Sequence, residues 1–240
     1  MSKVTRIAVD AMGGDNSPNK VIKGINHHYQ SNKNVFYKIF GDKNLIDQII
    51  PETLSKKSFE VINTIEKVEG TDTPLTAAKR GKNTSMWLAI DSVKKKDTDI
   101  IVSAGNTGAL FVIAKLNLPM IDKIDKPALS GLWPNKIGTN VVLDLGANID
   151  CNDKNLIDFS LMGSALFKAL FPNENPKVAL LNIGSEELKG NEMIKSAYKK
   201  LNISKNQLYE FVGYIEGNEI MNGDVNVIVT DGFTGNVALK

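Results

Sequence analysis

Apolar positions along the chain fall into two alternating kinds of stretch. Short β-branched runs recur at RIAVD (6–10), VFYKIF (35–40), FEVIN (59–63), DIIVS (99–103), NVVLDL (140–145), KVALLNI (177–183) and VNVIVT (225–230), and each reads as a strand. Between them, SPNKVIKGINHHY (17–29), SMWLAIDSVKKK (85–96) and NLIDFSLMGSALFKALF (155–171) repeat their apolar residues at three- and four-residue spacing, which predicts helices. Strands that are apolar at nearly every position need cover on both faces. The alternation therefore predicts an α/β fold: an αβα sandwich around a largely parallel sheet, read as a single domain over residues 1–240. Ser17-Pro18 and Thr73-Pro74 each set a hydroxyl before a proline, the signature of a capped helix start.

In an open parallel α/β sheet, ligands sit beyond the carboxyl ends of the strands. Five turns occupy that position: AMGGDNSP (11–18), SAGNTGA (103–109), DLGANID (144–150), NIGSEELKGNE (182–192) and TDGFTGN (230–236). The SAGNTGA turn carries no ionisable side chain. Backbone N–H groups at a helix start, helped by the helix dipole, bind an anion without a lysine, so this turn is read as a cradle for phosphate or a carboxylate. None of the five turns fits GxxxxGK[ST] or GxGxxG, which sets generic nucleotide motifs aside.

Composition narrows the classes. With 42% hydrophobic and 23% charged residues among 240, the chain has the profile of a globular protein with a sizeable core. Its 29 basic and 27 acidic residues nearly cancel, so there is no field of the kind that non-specific nucleic-acid binding requires. Cys151 is the only cysteine and has no disulfide partner within the chain, and the N-terminus enters a strand pattern instead of a signal peptide; a cytoplasmic location is expected. Polar residues interrupt Ile100–Met120, so that stretch does not make a membrane span, and peripheral membrane contact stays open. The closing GNVALK (235–240) reads as the first turns of a helix at the point where the chain stops, and a C-terminally truncated chain is the expectation.

VDAMGGDNSP, SAGNTGAL, LDLGAN, LMGSALF, LLNIGSEELKGNE and VTDGFTGNVALK, in this order, closely resemble the PlsX-type phosphate acyltransferases of bacterial phospholipid synthesis. The resemblance runs from Arg6 to Lys240. It implies a fold similar to phosphate acetyltransferases and the isocitrate/isopropylmalate dehydrogenases. The activity it implies is reversible acyl transfer from acyl carrier protein to inorganic phosphate, without cofactor or metal, in a homodimer loosely associated with the membrane. The acyl phosphate would pass to a glycerol-3-phosphate acyltransferase. Relatives of this kind continue well beyond the TGN motif, and the connection GLWPNKIGTN (131–140) is compact.

Under that reading, phosphate is expected on Ser103, Gly105, Asn106 and Thr107 together with Gly232, Thr234, Gly235 and Asn236. Gly13, Gly14, Asp15, Gly146 and Asn148 are assigned to the same substrate-binding set. Lys189 is the candidate positive charge at the reacting centre and Asp231 the residue that orients it. Asp10 and Asp15 are expected to brace the AMGG turn, and Asp144 and Asn148 the LGAN turn. Glu186 and Glu192 are dispensable as general bases, since phosphate is already an anionic nucleophile. Cys151 lacks a histidine in any signature turn to activate it, and a covalent role is disfavoured. His27 and His28 diverge on one helix and read as surface residues without a metal. Lys79, Arg80 and Lys82 form a basic cluster for the acidic carrier protein, with a solvated helix face as the plainer alternative. Two further alternatives are a short-chain acyltransferase using coenzyme A thioesters and an inactive, carrier-protein-binding remnant. A decarboxylating dehydrogenase is disfavoured by the lack of an Arg/Tyr/Asp set.

Overall fold

A computed structural model describes residues 4–204 and 206–240. The chain divides into two compact units, one ending at Pro119 and the other beginning at Met120, and the predicted strands are shared between two sheets, one in each.

In the first unit, β1 (Thr5–Asp10) pairs in parallel with β2 (Val35–Gly41) and β4 (Ile100–Ser103), and β3 (Phe59–Asn63) adds to β2, giving the order β3-β2-β1-β4. The crossovers carry α1 (Asn19–Ser31), α2 (Lys43–Asp47), α3 (Pro74–Lys79), α4 (Ser85–Lys94), and α5 (Thr107–Asn117) follows β4. Successive residues of β1 point to opposite faces. Ile7 and Val9 pack with Ile22 and Ile25 of α1, while Ala8 packs with Ala89 of α4. Both faces are covered there, which is why Ile7, Ala8 and Val9 are all apolar.

The second unit orders its strands β5-β6-β9-β7-β8, where β5 is Ser130–Pro134, β6 Thr139–Leu143, β7 Lys177–Leu181, β8 Glu210–Ile215 and β9 Val227–Val229. All neighbours are parallel except β5 with β6. Its helices are α6 (Asp153–Leu170), α7 (Glu192–Ile203) and α8 (Gly232–Leu239). Val141 and Leu143 of β6 meet Leu156, Phe159 and Phe167 of α6, and the intervening Val142 turns to Ala179, Leu181 and Ile228 on the other face.

Two strands add to those read from the sequence, and one helix cap differs. The 131–140 segment is an antiparallel hairpin, with β5 running into β6 through a turn closed by Asn135 N–H on the Gly138 carbonyl at 3.0 Å. Its exposure alternates, and Gly131 and Pro134 dilute the apolar pattern, so no β-branched run announces it. The run EFVGYI of β8 is masked by Gly213, at φ +100°, next to an irregular register against β7. Ser17 does not cap α1: the helix begins after Pro18 without a side-chain cap, because the Ser17 hydroxyl donates back to the Gly13 carbonyl at 2.5 Å. Thr73 behaves as expected, its Oγ1 accepting the Thr76 N–H at 3.2 Å ahead of Pro74. No helix among the described residues is long and apolar enough to cross a membrane.

Candidate active site

The first unit gathers the AMGG and SAGNT turns where β1 and β4 end side by side, Asp10 in register with Ser103. They border a cavity of about 380 Å³ lined by Met12, Gly14, Asp15, Lys20, Gly105 and Asn106, with residues 67–70 forming another wall. Gly14 lies at φ +83°, and a Cβ there would collide with the Ala104 carbonyl oxygen. Only glycine meets both demands.

Asn106 is the N-cap of α5: its Oδ1 accepts the Ala109 N–H at 3.0 Å. Its Nδ2 donates to the carbonyls of Asp72 (3.0 Å) and Gly70 (3.2 Å), tying the 67–73 loop to the turn. The Asn106 side chain is thus committed to the protein, and what the turn offers an anion is backbone. The N–H groups of Thr107 and Gly108 open the helix and have no intrahelical acceptor, and the α5 dipole adds to their pull. Two lysines reach this cavity. Lys67 pairs with Glu69 at 3.3 Å, whereas Lys20 forms no ion pair among the described residues. Sequence reading passed over Lys20 and the 67–70 wall, since a helix-face lysine and an irregular loop carry no motif.

Arg80 does not extend as a free basic residue. Its Nη2 donates to Asp72 Oδ1 at 2.7 Å, and this bond holds the Asp72 carboxyl below its usual range. Lys79 and Lys82 are exposed.

In the second unit, Asp144 at the end of β6 is fully buried and organises the LGAN turn. Its Oδ1 accepts the N–H groups of Leu129, Gly146 and Ala147, and its Oδ2 accepts both nitrogens of Asn148. Asn148 Nδ2 also reaches the Pro127 carbonyl, and Asn236 Nδ2 donates to the Leu145 carbonyl at 3.2 Å. Both amides brace backbone. Gly235 packs directly on the Asp144 carbonyl, with no room for a Cβ.

The GFTGN turn has largely spent its donors. Asp231 caps α8, accepting the Thr234 N–H at 2.9 Å and the Thr234 hydroxyl at 2.8 Å, and the Gly232 N–H is held by the Asn148 carbonyl at 2.8 Å. With a carboxylate as its cap, this helix start is a poorer anion site than the uncharged one at α5. Asp231 also does not pair with Lys189: no ion pair joins them among the described residues, because the carboxylate is engaged on Thr234. Lys189 is exposed, and its loop is fastened by Asn182, whose Nδ2 donates to the Gly184 and Lys189 carbonyls at 3.1 Å each.

Beside this turn is a second cavity, of about 420 Å³, lined by Ile149, Asp150, Cys151, Asn191, Met193, Asp231, Phe233 and Thr234. Its walls combine exposed apolar groups, Ile149 and Phe233, with polar ones. Burial pushes the Cys151 thiol up, and its Sγ donates to the Asn148 carbonyl at 3.4 Å, so the thiolate needed for nucleophilic attack is disfavoured. No group of three or more metal-binding side chains occurs among the described residues. His27 and His28 are both exposed, and the His28 Nδ1 lies 2.6 Å from the hydroxyl of the buried Tyr37.

Two largely parallel sheets with helices between their strands and glycine turns at the strand ends define an α/β fold. The solved structures of EutD phosphotransacetylase from Staphylococcus aureus and of a phosphotransacetylase from Streptococcus pyogenes each superpose on 98% of this chain and 80% of their own, with TM-score 0.67 at 16% identity. Residues 5–240 match the family described as fatty acid synthesis protein, and the chain belongs to that family. It is 69% identical over 240 residues to a phosphate acyltransferase of Pelagibacter ubique, covering all of this chain and 72% of that protein. A phosphate acyltransferase of Paramagnetospirillum magneticum is 42% identical over 241 residues, with 68% of its length covered.

Proposed function

We propose that the chain is a phosphate acyltransferase that moves a fatty acyl group from acyl carrier protein to inorganic phosphate. A phosphate oxygen attacks the thioester carbonyl, the C–O bond forms as the C–S bond breaks, and the phosphate proton passes to the departing thiolate. The products are acyl phosphate and free carrier thiol. The observation that carries this reading is the uncharged start of α5 on a glycine-walled cavity, in a chain whose family and relatives are those just given.

Phosphate is assigned to the first-unit cradle, with Gly13, Gly14 and Gly105 permitting close approach, Thr107 and Gly108 donating from backbone, and Asp15 on the cavity wall. In the second unit, Lys189 is proposed as a catalytic cation for developing negative charge, and Asp231 as the cap that fixes the start of α8. Lys79 and Lys82 are assigned to carrier-protein contact, without Arg80. A homodimer, contact with the membrane surface and delivery of acyl phosphate to a glycerol-3-phosphate acyltransferase complete the proposal, the product being an amphiphile.

The test is turnover with acyl-carrier-protein and coenzyme A thioesters in parallel, each with and without phosphate. Phosphate-dependent acyl phosphate from the carrier-protein substrate is the expected result. Faster turnover of a short coenzyme A thioester would overturn the substrate assignment, and carrier-protein binding without turnover would leave only a binding remnant.

A further inference from the structure

We propose that Asp10 is a positioning residue for phosphate, acting through Ser103 to set the backbone that leads into α5; the inference rests on the phosphate acyltransferase reading above. Asp10 ends β1 and is 1% exposed. Its Oδ2 accepts the hydroxyl of Ser103, on the neighbouring strand, at 2.7 Å, and its Oδ1 accepts the Met12 N–H at 3.3 Å. Ser103 Oγ in turn accepts the Gly105 N–H at 3.1 Å. These bonds have one direction. The Gly105 N–H can only donate, so a Ser103 Oγ lone pair faces it and the serine proton points at Asp10.

The consequence lies one residue further on. With the Gly105 N–H tied inward, Asn106 is placed to cap Ala109, and α5 opens with the N–H groups of Thr107 and Gly108 unspent. Gly13 seals the assembly from the other turn: a Cβ there would sit 2.5 Å from Asp10 Oδ2 and 2.8 Å from the Gly105 nitrogen. One carboxylate therefore registers two turns that are 93 positions apart in sequence.

A carboxylate withdrawn from water with no cation beside it among the described residues is costly, and an apolar side chain of similar shape would avoid that cost only by stranding the Ser103 hydroxyl and the Met12 N–H. A neutral amide does not restore the arrangement. An asparagine of the same size faces Ser103 either with Nδ2, which turns the hydroxyl proton towards Gly105, or with Oδ1, which sets Nδ2 against the Met12 N–H. One contact fails either way.

The experiment compares the wild-type chain with Asp10→Asn, Ser103→Ala and Ser103→Thr, using calorimetric titration with inorganic phosphate and steady-state kinetics in both substrates. In Asp10→Asn and Ser103→Ala the Kd and KM for phosphate should rise about tenfold, the loss of roughly one oriented hydrogen bond. The KM for the acyl carrier thioester should stay within about twofold, and Ser103→Thr, which keeps the hydroxyl, should recover much of the phosphate affinity lost in Ser103→Ala. Unchanged phosphate binding in the first two variants, or a rise in both KM values together with a falling melting temperature, would overturn the inference. If Asp10→Asn fails to fold, the contrast between the two Ser103 variants decides the matter. A wild-type chain that neither binds nor consumes phosphate refutes the functional reading instead, so the two failures are distinct.

Discussion

The Asp144 carboxylate holds Asn148 by both of its nitrogens, the backbone N–H and the side-chain Nδ2 each lying 2.8 Å from Oδ2. Three more backbone N–H groups converge on Oδ1, so Asp144 supports the LGAN turn much as Asp10 supports the first-unit turns. Replacing it with alanine strands these buried donors. Asp144→Ala should cost about 3 kcal/mol or more of unfolding free energy, read from the midpoint of a urea transition. A loss below about 1 kcal/mol would mean that water replaces the carboxylate cheaply.

Tyr37 gives a pH signature. Burial, with a smaller contribution from Tyr29, pushes its hydroxyl up to about 12. A raised folded value favours the protonated form, so the contribution is complete below the unfolded value of about 10 and declines as pH rises towards about 12. Tyr37→Phe should lose about 1 kcal/mol at pH 7 with its bond to His28. Its stability should fall less steeply above pH 10 than that of the wild type, and parallel alkaline curves in urea titrations would refute this assignment.

Cys151 is expected to be a slow thiol and a dispensable one. Its raised pKa predicts thiol-disulfide reagent labelling at pH 7 well below that of free cysteine, rising with pH, and Cys151→Ala should keep most of the turnover. Trapping of an acyl group on Cys151 by mass spectrometry would contradict this.

Among the basic residues near α3, charge reversal should separate surface from scaffold. Lys79→Glu and Lys82→Glu should raise the KM for the carrier-protein substrate severalfold, more at low salt than at high. Arg80→Ala should act differently, loosening the Asp72 loop that holds Asn106 and so weakening phosphate more than carrier protein. Identical effects in all three variants would remove the distinction.

The parts of the fold that repeat an apolar rhythm were legible in the chain, and the parts that break it were not. β1 announces itself because helices cover both of its faces, and β6 because both of its faces are buried, whereas the hairpin strand β5 and the glycine-interrupted β8 lack such runs. The glycine turns were legible as turns, but not the duties of their side chains. The bracing of the LGAN turn by Asp144 and Asn148 was legible, whereas Asn106 and Asn236 read as substrate ligands and prove to brace backbone, because a local window does not show that their partners are residues 70–72 and 145. The expected Lys189–Asp231 pairing failed for a similar reason: the threonine three positions on takes the carboxylate first.

The most direct test of the account is acyl phosphate formation, trapped as the hydroxamate, from palmitoyl acyl carrier protein and phosphate by this chain and its Lys189→Ala variant. The account predicts hydroxamate that requires phosphate and drops by about a hundredfold or more in the variant, the scale of a lost oxyanion partner. Hydroxamate formed equally by both proteins would take Lys189 out of the chemistry, and none formed by either would contradict the assignment of the chain as a phosphate acyltransferase.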